Sequence, residues 1–276
     1  MGWHGHLHLR YRRDAHRTIV HDEHSGPLRV LQSLYPEGDG ICHNVLVHPP
    51  GGIVGGDVLQ INTQLGAGSH ALITTPGATR FYRSTGALAQ QQLSAQVAEG
   101  ARLEWLPLET ILYRNTLAEN RMRFELAPGA EMIGWDVLAL GLSASHEAFD
   151  SGRYTQQIEL PGVWLERGTI DGSDTRLLQS PLGWAGRSVL ATMWFAAGAP
   201  LVPARRDALL DAAREAIDGH ALKTTAGCTA PHAEAVVLRA LAHRVEPAMN
   251  LLVEVWQRWR DMAWQLPATT PRVWRT

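Results

Sequence analysis

A glycine-centred template that returns roughly every thirty residues limits what this chain can fold into. Leu65-Gly-Ala-Gly-Ser-His-Ala-Leu, Val97-Ala-Glu-Gly-Ala-Arg-Leu-Glu and Leu126-Ala-Pro-Gly-Ala-Glu-Met-Ile share one pattern. It is an apolar residue, two variable residues, a glycine, a small residue, then a strand-like run. Weaker copies stand at Tyr35-Pro-Glu-Gly and Ile158-Glu-Leu-Pro-Gly-Val-Trp. The template glycines are Gly38, Gly68, Gly100, Gly129 and Gly162, at intervals of 30, 32, 29 and 33 residues. Stacked β-layers produce such a recurrence, because each unit buries its apolar face only against its neighbours. A β-sandwich with evenly spaced turns gives a similar pattern, since glycine before a small residue is common turn chemistry. The expectation is one domain over 1–276, mainly β. Its body over 1–202 is layered or stacked and solenoid-like, and a few helices lie in 203–276.

The helical expectations rest on composition and period. Arg205 to Ile217 is rich in Ala, Leu, Arg, Asp and Glu and ends at Asp218-Gly219, which suits an amphipathic helix and its stop. Ala233 to Ala240 fits either a strand or a helical turn, because its length does not decide. Pro247 suits the first turn of a longer helix through about Leu266. Its apolar positions Met249, Leu252, Trp256, Trp259 and Ala263 step by 3, 4, 3 and 4, making one stripe.

Composition removes several function classes. A chain of 276 residues, 45% hydrophobic and 19% charged, can bury a substantial core. Its formal net charge of -2 leaves no electrostatic footprint for nucleic acid or an anionic membrane. Lys223 is the only lysine, so Schiff-base and Walker-type chemistry have no lysine elsewhere. Cys42 and Cys228 are too far apart in sequence for a C-x-x-C metal or redox site. The first ten residues hold no apolar signal-peptide core, and the uncharged stretch Val189 to Ala204 is short and carries Pro200 and Pro203. A cytoplasmic protein is expected.

His48-Pro-Pro-Gly-Gly-Ile-Val-Gly-Gly-Asp57 is the densest local motif. It holds irregular backbone between two strand-like runs, Ile41 to Val47 and Val58 to Leu65, and ends on one carboxylate. A phosphate loop would need a following helix and a lysine, and neither is there. His4, His6 and His8 alternate and so share one face of a strand, a borderline-metal pattern without the Cys or carboxylate that would complete a known spacing. No Gly-x-Ser-x-Gly elbow occurs; Ser143 and Ser145 lack that geometry. The carboxylates Asp57, Glu109, Asp136, Glu147 and Glu166 are scattered, several of them in apolar strand contexts. Burial there requires an arginine, water or a cation, so salt bridges and a wet acidic interior both remain open.

In order along the chain, Gly26-Pro-Leu-Arg-Val, the His48–Asp57 motif, Thr74-Thr-Pro-Gly-Ala-Thr-Arg-Phe-Tyr-Arg-Ser84, Leu106-Pro-Leu-Glu-Thr-Ile-Leu112 and Pro271-Arg-Val-Trp-Arg-Thr276 resemble the urease accessory protein UreD family, also called UreH. The resemblance covers nearly the whole chain. It implies a nickel-insertion chaperone rather than an enzyme. Such a protein joins UreF and UreG, docks on apo-urease and passes nickel through a water-filled internal tunnel. It also implies a largely β, stacked-sheet fold with helices near the C-terminus. The tunnel residues implied are Asp57, Thr79, Tyr82, Asp136 and Glu166. Gly141-Leu-Ser-Ala-Ser-His-Glu147 departs from the pattern, where relatives often carry Arg after the glycine, so Glu147 is left out. Nickel is then transient cargo, with no tightly bound cofactor. Trp256, Trp259 and Arg260 have interface composition and are expected at the partner-facing edge of the C-terminal helix. Two further readings stand beside this one. The first is a β-rich metallohydrolase using His43, His48 and Asp57. The second is a structural adaptor whose acids are all salt-bridged.

Overall fold

Each strong template glycine closes the same turn. Gly68, Gly100 and Gly129 have φ of 66°, 66° and 80°. The residue after each donates its N–H three residues back: Ser69 to Gly66, Ala101 to Ala98 and Ala130 to Ala127. That is a turn with left-handed backbone at its third position, which glycine adopts without a Cβ clash. The turns stack: a Cβ on Gly129 would lie 3.7 Å from the Gly100 nitrogen, and one on Gly100 would lie 3.9 Å from that of Gly68.

The computed structural model describes residues 2–142, 145 and 147–275. The chain runs through β1 (His4–Asp14), β2 (Arg17–Ser25), β3 (Arg29–Val30), β4 (Ile41–Val47), β5 (Val58–Leu65) and β6 (His70–Thr74). There follow β7 (Thr79–Phe81), β8 (Ala89–Val97), β9 (Arg102–Leu106), β10 (Thr110–Leu112), β11 (Thr116–Leu126) and β12 (Glu131–Leu140). Next come β13 (Gly152–Leu160), β14 (Trp164–Asp171), α1 (Thr175–Gln179), β15 (Val189–Ala197) and α2 (Pro203–Asp218). The last elements are β16 (Ala226–His232), β17 (Ala235–Ala242), α3 (Val245–Trp264) and a 3-10 turn at Arg272–Arg275.

Two sheets face each other. The seven-stranded sheet has the order β14-β13-β11-β8-β5-β1-β2, and the ten-stranded one β16-β17-β15-β12-β9-β6-β4-β3, with β10 and β7 continuing from β12. One template interval is one circuit: a strand of the first sheet, the glycine turn, a strand of the second, and a loop back. The circuits lie parallel, β5 on β8 and β8 on β11 in one sheet, β4 on β6, β6 on β9 and β9 on β12 in the other. Stacked layers are therefore the architecture, as the thirty-residue recurrence implies. The weaker copies differ in role. Gly162 sits in a hairpin turn joining β13 to β14 antiparallel, which ends the stacking, and at Tyr35 the glycine itself donates back to the tyrosine carbonyl.

The change of character after Pro203 is not the end of the β body. β16 and β17 add antiparallel to β15 and extend the ten-stranded sheet, so Ala233 to Ala240 falls largely in a strand. The helices α2 and α3 form a third layer on that sheet's other face. Leu252, Trp256 and Trp259 of the α3 stripe are fully buried there. The helix stops at Gln265, whose φ of 53° is left-handed, two residues before Pro267.

Candidate functional site

Strand alternation decides which side chains meet between the sheets. On the inner face of the seven-stranded sheet, Ile158, Met122, Leu93, Ile61 and Leu7 align in one apolar row. The adjacent row is Gly168, Gln156, Asn120, Gln91 and Leu59. Three amides thus stand side by side in the interior between the sheets. Gln91 Nε2 donates to Asn120 Oδ1 at 3.4 Å. Gln156 Nε2 donates across the gap to Asp136 Oδ2 on β12 of the facing sheet. Asp136 is 4% exposed, and desolvation raises its pKa from 3.8 to about 6 although the Gln156 bond pulls the other way. The Tyr154 hydroxyl is fully buried beside them, next to Asn120. Burial pushes its pKa well up, and the nearby Asp136 charge adds to that.

The polar row has two ends. From Asp136 it follows the register to Thr192 on β15 and Arg239 on β17, and Arg239 reaches back across the gap to Glu166 on β14. Burial lowers the Arg239 pKa. Gly168, opposite Gln156 on that edge strand, has nothing within 4 Å of where its Cβ would be, so β14 leaves a gap between the inward Glu166 and Ile170. At the other end Gln91 lines a cavity of about 180 Å³ together with His48, Thr75 and Thr79. Burial lowers the His48 pKa, and the Asp57 charge opposes it.

The expected tunnel residues fall into different places. Asp136 is central, Glu166 stands at the β14 end in an ion pair, and Thr79 lines the small cavity. Asp57 is buried, but its two oxygens accept the backbone N–H groups of Trp3 at 2.8 Å and Val54 at 2.9 Å. It ties the N-terminal strand to the glycine loop rather than facing the cavity. Tyr82 packs over that loop, where a Cβ on Gly52 would lie 2.1 Å from its ring, and meets Tyr113 edge-on at 4.7 Å. Ser143 and His146 lie outside the described residues. The residues that sequence reasoning passed over are Gln91, Asn120, Gln156, Tyr154 and Gly168. Parity offered a signal: Tyr154, Gln156, Ile158 and Leu160 alternate on one face, and two of these four are polar.

The partner-facing expectation for α3 needs correction. Trp256, Trp259 and Arg260 are each 0% exposed, so none of them presents a surface to a partner. Arg260 instead joins two buried carboxylates, with Nη1 2.8 Å from Glu37 and Nε 3.3 Å from Glu104. His43 meets Glu37 at 2.8 Å, His70 meets Glu104 at 2.7 Å, and Trp256 Nε1 donates to Glu104 at 2.6 Å. Burial works against ionised Glu37, yet hydrogen bonds from His43 and Arg260 bring its pKa below the usual value. Burial lowers the His70 pKa. His43 is therefore committed to the helix side, away from Asp57. Among the described residues no three His, Cys, Asp or Glu side chains converge as a metal centre requires. His6 and His8 stand 6.4 Å apart between ring centres, with His6 bonded to Asn62.

A family profile described as UreD urease accessory protein matches residues 4–275. The chain is 62% identical over 276 residues to the urease accessory protein UreD of Variovorax paradoxus, covering 100% of both chains. It is 62% identical over 278 residues to that of Leptothrix cholodnii, again covering 100% of both. With that of Polaromonas naphthalenivorans the identity is 58% over 274 residues, 99% of each chain.

Proposed function

The chain belongs to the UreD urease accessory protein family, and we propose that the polar row between its sheets is a path for nickel during urease maturation. In this reading the protein is a nickel-insertion chaperone and not an enzyme. It scaffolds UreF and UreG on apo-urease in the cytoplasm, without nucleic acid or membrane, and nickel is cargo rather than a resident cofactor.

The observation that carries the reading is the row itself: Gln91, Asn120 and Gln156 side by side between the sheets, with Asp136 facing Gln156. Buried polar groups are costly unless they have a use or a full set of partners. Amide oxygens are neutral ligands that hold a divalent cation loosely, and one carboxylate among them adds charge without closing a cage. Transit requires sites of this kind, because a closed set of three or four anionic ligands would hold the ion. The adaptor reading accounts for Glu166, which is paired with Arg239, but not for Asp136, which has no cationic partner among the described residues. The metallohydrolase reading finds no ligand set in His43, His48 and Asp57: His43 is bonded to Glu37 on the helix side, and both Asp57 oxygens are taken by backbone N–H groups.

A plug tests the path. Gly168 has no left-handed φ and open space at its Cβ, so Gly168→Leu should fold with unchanged thermal stability and place an isobutyl group at the gap in β14. Co-expressed with the urease structural and accessory proteins, it should assemble normally. The nickel content of the urease should fall severalfold. Wild-type nickel loading in the folded variant would remove β14 from the route.

A further inference from the structure

We propose that the side-chain amide of Gln156 is the gate of the polar row, closed when its NH2 faces Asp136 and open when it turns its oxygen there. The inference rests on the conduit reading above and adds a control point to it. An ionised carboxylate only accepts hydrogen bonds, so the amide end that meets Asp136 Oδ2 is the NH2 group, as found. In that state a donor occupies one of the Oδ2 lone pairs that a cation would take. The terminal torsion of glutamine is broad and two-fold, so a half-turn exchanges NH2 for Oε1 with little change in volume. Space for the turn exists because the residue opposite Gln156 on β14 is Gly168, with nothing within 4 Å of a Cβ there. After the turn, Gln156 Oε1 and Asp136 Oδ2 offer two oxygens. The Tyr154 hydroxyl is buried next to this pair, within reach of the Asp136 charge. Two oxygens with one charge fall short of a closed ligand set and hold a divalent ion only briefly.

A purely structural role for the Gln156–Asp136 bond makes different predictions from a gate, and two variants separate them. Gln156→Glu replaces the donor with a second carboxylate. Titrated calorimetrically with nickel(II) alone, the purified full chain should bind about tenfold or more tightly than wild type, because charge count sets affinity at such sites. Co-expressed urease should then receive less nickel. Gln156→Met keeps the volume but has neither donor nor acceptor; it should bind nickel no better than wild type and still deliver less. Asp136→Asn and Gly168→Leu are run beside them. If both of those load urease normally, the conduit reading fails and the gate with it. If they block loading while Gln156→Met delivers like wild type, the gate alone is overturned. A folded Gln156→Glu that binds nickel no more tightly than wild type overturns it as well. Should Gln156→Glu not fold, Gln156→Met decides.

Discussion

Asp136 sits where ionisation is unfavourable, and the sign of the effect can be worked out. Its carboxyl titrates at 3.8 in the unfolded chain and at about 6 in the folded one. Between those values the native state holds the proton and the unfolded state does not, so stability falls as pH rises, and the loss is complete above about 6. Relative to Asp136→Asn, wild type should lose about 2 kcal/mol between about pH 4.5 and about pH 7.5. Urea denaturation of both proteins at the two pH values measures it, and a pH-independent difference would mean that Asp136 ionises freely. Asp57 acts as an anchor for backbone. Its oxygens hold two backbone N–H groups, so Asp57→Ala should cost about 1–3 kcal/mol in thermal or urea unfolding. An Asp57→Ala protein as stable as wild type would contradict the loop-anchor role. The motif around Asp57 was legible in the sequence as irregular backbone closed by a carboxylate. Which groups that carboxylate serves was not, because Trp3 is 54 residues away.

At the level of elements, α3 shows how a period can be read correctly and one residue on it misread. The stripe of Leu252, Trp256 and Trp259 is core, as its spacing implies. Arg260 follows Trp256 by four residues and so lies on the same face. That position put its guanidinium in the core, and the required anions come from Glu37 and Glu104, 223 and 156 residues away by number. Arg260→Met should therefore destabilise by about 3–5 kcal/mol, because it leaves two buried carboxylates without their cation. Arg258→Ala should change stability by less than about 1 kcal/mol, since its pairs with Glu215 and Glu254 are largely exposed. Chemical denaturation distinguishes the two, and equal effects would place the Arg260 network nearer solvent. If α3 meets a partner, the side chains it offers are exposed ones such as Gln257, Asp261 and Met262.

For the molecule as a whole, the isolated chain should bind nickel weakly and lose that binding when His4, His6 and His8 are replaced together by alanine, while urease loading in cells stays intact. Calorimetry and urease nickel content check the two halves. A nanomolar site lost on mutating Asp136 would instead indicate a storage centre and contradict transit. The mainly β architecture and its thirty-residue period were determined by sequence, through turns whose glycines need left-handed backbone, while the parallel pairing of the circuits decided for stacked layers over a sandwich. Helix positions were determined by sequence too, to within two residues at either end of α2 and α3. These are local properties: backbone conformation and side-chain period act over a few residues. The tertiary structure decided the rest. Gln91, Asn120 and Gln156 become neighbours only because β8, β11 and β13 pair in one register, and a slip of one residue would turn all three outward. Asp136 meets Gln156 only because two sheets close on each other. Contacts of this kind depend on pairing between strands far apart in the chain, which no single segment encodes.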